Sequence, residues 1–148
     1  TDSFLYMLAM NTFTMNTSMN PFENTLSSDK LFNKQAEVIQ EIADKDDCII
    51  VGRCAGYILR DEPKCVRIYI SADKDFRTKR IMASDHLDEK EAQKKIHSMD
   101  KKRDSYFGYY AGQDWKACHT YDLSISTSAL GIDKAVDLIC QYIDIKFK

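Results

Sequence analysis

Proline and glycine are scarce in this chain of 148 residues. Two prolines and five glycines are too few for a collagen-like, low-complexity or disordered class. Excess charge of one sign is lacking too. Twenty-one Lys and Arg stand against 23 Asp and Glu, a formal net charge of −2. A general nucleic-acid binder is normally basic, so an anion site here has to be local. No run approaches the ~18 apolar residues of a membrane span. The opening TDSFLYMLAM has an acidic residue at Asp2 and no basic leader, and so reads as no secretory signal. The five cysteines (Cys48, Cys54, Cys65, Cys118, Cys140) are odd in number and irregularly spaced, with no CxxC or HxxxH beside them. That pattern argues against a zinc site or a disulfide framework. They read as reduced thiols of a cytoplasmic protein.

What is present suits one compact domain: 44% hydrophobic residues over a single domain's length. Residues 1–27, rich in Asn and Thr, read as a mobile connection after a helical turn or two at Phe4, Leu5 and Leu8. Met7, Met10, Met15 and Met19 in it suit ordinary packing first, with a homodimer contact or an adaptable cover as alternatives. From Asp29, apolar residues at helical spacing (Leu31, Phe32, Ala36, Ile39, Ile42, Ala43) predict a helix capped by Ser28 or Asp29. CIIVG at 48–52 is an apolar run too short for a helix and predicts a strand covered on both faces. VRIYIS at 66–71 predicts a second strand. Two charged helices follow, the second started by an Asp88-x-x-Glu91 capping box. A strand at 121–126 leads into a last helix with Ile132, Ala135, Val136, Ile139, Cys140 and Ile143 on one face. The order of elements predicts an α/β fold with a parallel sheet and right-handed crossovers.

Open parallel sheets bind ligands outside the carboxyl ends of their strands, which singles out three segments. Gly52-Arg53 follows the first predicted strand, where a glycine permits a turn and an arginine offers a planar fork to phosphate or carboxylate. A surface arginine in a βα loop is the plainer alternative. The basic run Arg77, Lys79, Arg80, Lys94, Lys95, Lys101, Lys102 and Arg103, interleaved with acids, suits a solvated helical face. Arg103 nevertheless shares a stripe with Ile96, Met99 and Tyr106, so it is expected to point inward and to need an anionic partner, an Asp or a substrate phosphate. Ser126-Thr127-Ser128 after the last strand either caps the last helix or borders a planar ligand. Trp115 reads as a packing anchor.

Together these segments resemble the cytidylate kinase-like family, nucleoside monophosphate kinases of P-loop fold. The resemblance rests on "VGRCAGYIL", on a lid-like "DKKRDSYFGYY" and on "STSALGID", in that order, and spans about residues 28–139. It implies a three-layer α/β/α architecture and transfer of the γ-phosphoryl of ATP, with Mg²⁺, to a nucleoside monophosphate, CMP first. Arg53 and Gly52 would hold the acceptor phosphate. Residues 73–112 would close as a lid, with Arg103, Lys102 and Arg80 reaching the transferring phosphoryl. Thr127 and Ser128 would border adenine, and residues 1–27 would lie on the acceptor side. Implied partners are small nucleotides, with no nucleic acid and no membrane. The chain departs from the family at three points. It contains no G-x-x-x-x-G-K-[ST], it has Val51 where relatives place a magnesium-organising Asp, and it has Cys54 where they place a base-reading Asp. The first departure leads to the expectation that these residues are the C-terminal part of a chain of roughly 200 residues, with the phosphate-loop strand lying between the segments at 48–52 and 66–70. A nucleotide-binding module without catalysis, and a kinase acting on another small acceptor, are the alternative functions.

Overall fold

The computed structural model describes residues 21–148. Expectations that fall on residues 1–20, among them the helical turns and the methionine cluster, lie outside the described residues. Helix α1 spans Pro21–Lys45 and so starts earlier than Ser28 or Asp29, taking in residues 21–27. Proline at the first helical position loses no hydrogen bond, because that N–H has no partner within a helix, and its fixed φ already suits one. Ile39 is buried on the inner face of α1.

Residues 48–52 are not a strand. A strand exists only as a ladder of hydrogen bonds to a neighbour, and none of the described residues pairs with this run. Ile49 and Val51 are 95% and 87% exposed. The chain then turns into the short helix α2, Ala55–Ile58, which packs near α1. A Cβ added at Gly56 would sit 3.2 Å from the Arg67 side chain, so the absence of a side chain there lets α2 approach the sheet.

The sheet has two parallel strands among the described residues, β1 (Ile68–Ser71) and β2 (Leu123–Ser126), in the register Ile68↔Leu123 to Ser71↔Ser126. Both are shorter than their sequence patterns. At the start of the ladder the Asp122 carboxylate accepts from the Arg67 backbone N–H at 2.7 Å and from the Arg67 guanidinium at 3.2 and 3.3 Å. Lys146 of the last helix approaches the same carboxylate at 3.8 Å and donates to the Cys65 carbonyl at 2.9 Å. Between the strands run helices α3 (Lys74–Asp85) and α4 (Glu89–Ala111), packed together. The capping box forms as predicted: Asp88 Oδ1 accepts from the Glu91 N–H at 2.8 Å and Glu91 Oε2 from the Asp88 N–H at 3.1 Å. Ala92 is fully buried on α4.

After β2 come α5 (Thr127–Leu130) and α6 (Ile132–Phe147). Ala135 is buried, whereas Ile132, Val136, Cys140 and Ile143, predicted on the same inner face, are exposed. A two-stranded sheet is too narrow to cover the whole face. The architecture is therefore α/β with a small parallel sheet. All five cysteines are unpaired, and none of the described helices is long and apolar enough to cross a membrane.

Candidate active site

Three consecutive residues after the 48–51 segment are left-handed: Gly52 (φ 75°), Arg53 (φ 56°) and Cys54 (φ 55°). Glycine is at ease there, but an L side chain pays roughly 1–2 kcal/mol. The turn is held by surrounding contacts. Ala55 N–H donates to the Gly52 carbonyl at 3.0 Å, and Tyr57 and Ile58 N–H donate to the Cys54 carbonyl at 2.8 and 2.9 Å. Cys54 and Ala55 are buried beneath it, and burial pushes the Cys54 thiol up to about 11.

The turn presents Arg53 to α4. Its guanidinium lies against the Tyr106 hydroxyl, which donates to Gln35 Oε1 of α1 at 3.2 Å. Burial, then the neighbouring Cys54, raise the Tyr106 phenol above its ordinary range, with Arg53 acting in the opposite direction. Phe32 of α1 stacks on Tyr110 with ring centroids 3.9 Å apart, and Tyr106 meets the Tyr110 ring edge at 4.9 Å. This aromatic seam joins α1 to α4. Burial, followed by the Asp29 carboxylate, pushes the Tyr110 phenol up to about 12.

One turn earlier on α4, Asp100 and Arg103 form a second cluster with Arg77 of α3. Asp100 Oδ1 accepts from Arg77 Nη2 at 2.7 Å and from Arg103 Nη1 at 3.2 Å. Burial alone would raise the Asp100 carboxyl, but the Arg77 hydrogen bond and the Arg77 and Arg103 charges outweigh it and hold it below the usual carboxylate range. Tyr69 of β1 feels the charges of Asp100, Arg77 and Arg103 and packs on Trp115 (5.6 Å) and Tyr121 (5.0 Å). Trp115 is the anchor its sequence context suggested, although its indole N–H is buried without a partner among the described residues.

The structure thus brings Arg53 and Arg103 to the same stretch of α4, with Tyr106 next to the first and three residues beyond the second. It does not bury Arg103. The side chain is about half exposed, because the stripe that carries Ala92 into the α3 contact opens outward by this turn. The arginine that does point inward is Arg77. Lys102 lines an open groove of about 630 Å³ between α1 and α4, with Lys101, Ser105, Tyr106, Tyr109 and Tyr110. Arg80 is exposed on α3, with no partner among the described residues. Thr127 is buried, its hydroxyl donating to the Ser71 carbonyl at 3.0 Å. Ser128 Oγ accepts from the Asp73 N–H at 3.0 Å and touches Ser126 Oγ at 3.0 Å. Both hydroxyls therefore fasten the two strand ends together, and neither caps the last helix, whose N-cap is Gly131.

Sequence reasoning left Asp100 out of the site and named Arg77 only as one member of the basic run. The i, i+3 spacing of Asp100 and Arg103 was the signal available for the first, and nothing in the spacing set Arg77 apart from its basic neighbours. Among the described residues no three His, Cys, Asp or Glu side chains are placed to hold a metal ion, and Val51 offers no ligand ahead of Gly52-Arg53.

Comparison with known proteins accords with this geometry. Residues 1–129 match the cytidylate kinase-like family. The chain is 31% identical over 103 residues to a protein named cytidylate kinase from Sulfolobus acidocaldarius, covering 70% of this chain and 56% of that one. It is 27% identical over 111 residues to a cytidylate kinase from Methanoculleus marisnigri, covering 75% and 59%. The chain thus spans less than three fifths of the length of these relatives. A crystal structure of an uncharacterized protein from Eubacterium ventriosum superposes with a TM-score of 0.75 at 38% identity, over 77% of this chain and 65% of that one. With a match over most of its length and an arginine-bearing turn set against a basic helix, the chain belongs to the cytidylate kinase-like family.

Proposed function

We propose that the protein transfers the γ-phosphoryl group of ATP to a nucleoside monophosphate, with CMP as the first candidate acceptor. One observation carries the reading: the left-handed turn at 52–54 sets Arg53 beside Tyr106 on α4, one turn from Arg103. Phosphoryl transfer asks mainly for positioning and charge neutralisation, and two guanidiniums on facing elements supply both. In this reading Arg53 takes the acceptor phosphate with its planar fork. Helices α3 and α4 close as a lid that excludes water, bringing Arg103, Lys102 and Arg80 to the transferring group. Thr127 and Ser128 shape the loop that borders adenine. Magnesium enters as part of the MgATP substrate. Five unpaired thiols suit a reduced, cytoplasmic setting.

The reading needs a backbone cradle for the ATP phosphates, and the 148 residues contain no G-x-x-x-x-G-K-[ST] motif. We place it in chain outside them, on a strand that adds to the sheet beside β1. The apolar side chains of Ile49, Val51 and Ile70, left open to solvent, support that placement. The test is CMP-dependent release of ADP by the full-length protein, with UMP, dCMP and AMP as rival acceptors. Turnover that rises only with a nucleoside monophosphate is the expected result. ATP consumption that is equal with and without every acceptor, or absent, overturns it. A second reading, a module that binds nucleotide without turnover, is favoured by Val51 and Cys54 at positions where relatives carry acids. Calorimetric binding of ATP or CMP with no ADP release would select it.

A further inference from the structure

Asp100 carries one negative charge and serves two guanidiniums through a single oxygen, Oδ1. The two bonds are unequal. Arg77 is held at 2.7 Å and its side chain is 33% exposed, whereas Arg103 is held at 3.2 Å and is 52% exposed; Asp100 itself is 18% exposed. Two cations on one carboxylate leave the trio with a surplus positive charge. Because the short, sheltered bond goes to Arg77, that surplus resides on Arg103, the member that opens to solvent. We propose that Asp100 is a positioning residue for phosphoryl transfer: anchored by Arg77 of the neighbouring helix, it holds Arg103 ready for the incoming anion before substrate arrives.

The proposal rests on the phosphotransfer reading above and adds to it the residue that prepares Arg103. A free arginine side chain has about 2 kcal/mol of rotamer entropy, which it would lose on engaging a phosphate. Ordering it beforehand moves that cost from the reaction to folding. The bond must also be releasable. At 3.2 Å the Arg103 contact is at the long end of the N–H···O range, and exchanging it for a phosphate oxygen does not strand Asp100, because Arg77 remains bound. The other groups acting on the carboxylate fit this arrangement: Lys116 adds a weaker positive charge, and Tyr69 of β1 lies in the field of the same cluster.

A purely structural tie between α3 and α4 is the alternative, and a double-mutant cycle in the full-length protein separates the two. Asp100→Asn is expected to lower kcat by about 10- to 100-fold with KM for ATP and acceptor shifted by no more than about threefold. Asp100→Glu is expected to recover most of the loss. Once Arg103→Met is in place, adding Asp100→Asn is expected to cost almost nothing further, since there is no arginine left to aim. Losses that multiply in the double variant, or an unchanged kcat in Asp100→Asn, overturn the proposal. If Asp100→Asn does not fold, Arg77→Lys takes its place, with a loss expected in the wild-type background and none in the Arg103→Met background; the reverse pattern overturns it. Nitrogen-15 NMR of the Arg103 Nε–H group is read independently of turnover. A resolved signal that moves to the free-arginine position in Asp100→Asn supports positioning, and an unmoved signal refutes it. A wild-type protein that phosphorylates no nucleoside monophosphate would remove the phosphotransfer reading, while the NMR comparison would still decide whether Asp100 orders Arg103.

Discussion

Arg53 and Cys54 occupy a backbone region that favours glycine, and they are kept there by the burial of Cys54 and by the hydrogen bonds of α2. Strain of this kind is retained where it aims a side chain. A matched pair of substitutions separates aim from strain. Arg53→Ala and Arg53→Gly both remove the guanidinium, so both are expected to lower kcat/KM for the acceptor by a similar factor, about 10- to 100-fold. They differ in the Cβ that the left-handed conformation penalises. Arg53→Gly is therefore expected to be the more stable of the two by about 1 kcal/mol in urea unfolding. Equal stabilities would mean that the turn relaxes when the arginine leaves. Next to it, the Cys54 thiol is buried and pushed up to about 11, so it is a poor nucleophile at neutral pH. Titration with a thiol reagent is expected to modify the exposed Cys48, Cys118 and Cys140 in the native protein and Cys54 only on unfolding. Rapid native modification of Cys54 would show that the turn opens.

The Arg67–Asp122 pair shows how two strands and a helix are fastened at one end of the sheet. The Asp122 carboxyl would be raised by burial, but the side-chain and backbone hydrogen bonds and the charge of Arg67, with that of Lys146, hold it below its ordinary range. A carboxylate depressed in the folded state gives stability that is complete above its unfolded value, near 3.9, and is lost as pH falls through the folded value. Wild-type stability is expected to fall more steeply between about pH 5 and pH 2 than that of Asp122→Asn, measured by urea unfolding at each pH; parallel curves would refute the assignment. The elements that sequence revealed are those whose signals are local. The Asp88-x-x-Glu91 box starts α4 as read, and the alternation of Ile68 and Ile70 marks β1. The start of α1 was hidden by Asn- and Thr-rich composition, although Pro21 at its first position was the available sign. Residues 48–52 have a strand's composition but not its ladder, because pairing is a property of the neighbour and not of the segment. The site follows the same division. Gly52-Arg53 was legible from its place after an apolar run, whereas the meeting of Arg77 with Asp100, 23 residues apart, depends on how two helices pack. Helical periodicity alone cannot give that.

Taken whole, the molecule is less closed than its composition would lead one to expect. Ile125 of β2 is 4% exposed, while Ile70, its partner across the ladder, is 58% exposed. Two paired residues share one face of a sheet, so the cover over that face stops between the strands. On α6, Ile132 and Val136 are likewise left to solvent. Scattered exposed apolar residues are ordinary, but here they lie on the sheet face and on the last helix, elements from which an α/β fold builds its core. The proposed larger sheet makes a definite demand on Ile70. In the full-length protein, further elements would bury it, and Ile70→Lys would then set an ammonium into apolar surroundings at a cost of roughly 2 kcal/mol or more. Ser124→Lys, at an exposed position on β2, serves as the control and is expected to stay within about 0.5 kcal/mol of wild type. Should Ile70→Lys prove as mild as the control, Ile70 faces water in the whole protein. The larger sheet proposed to carry the phosphate cradle would then lack its cover on this face, and the phosphotransfer reading would lose its structural basis even with Arg53 and Arg103 where they are.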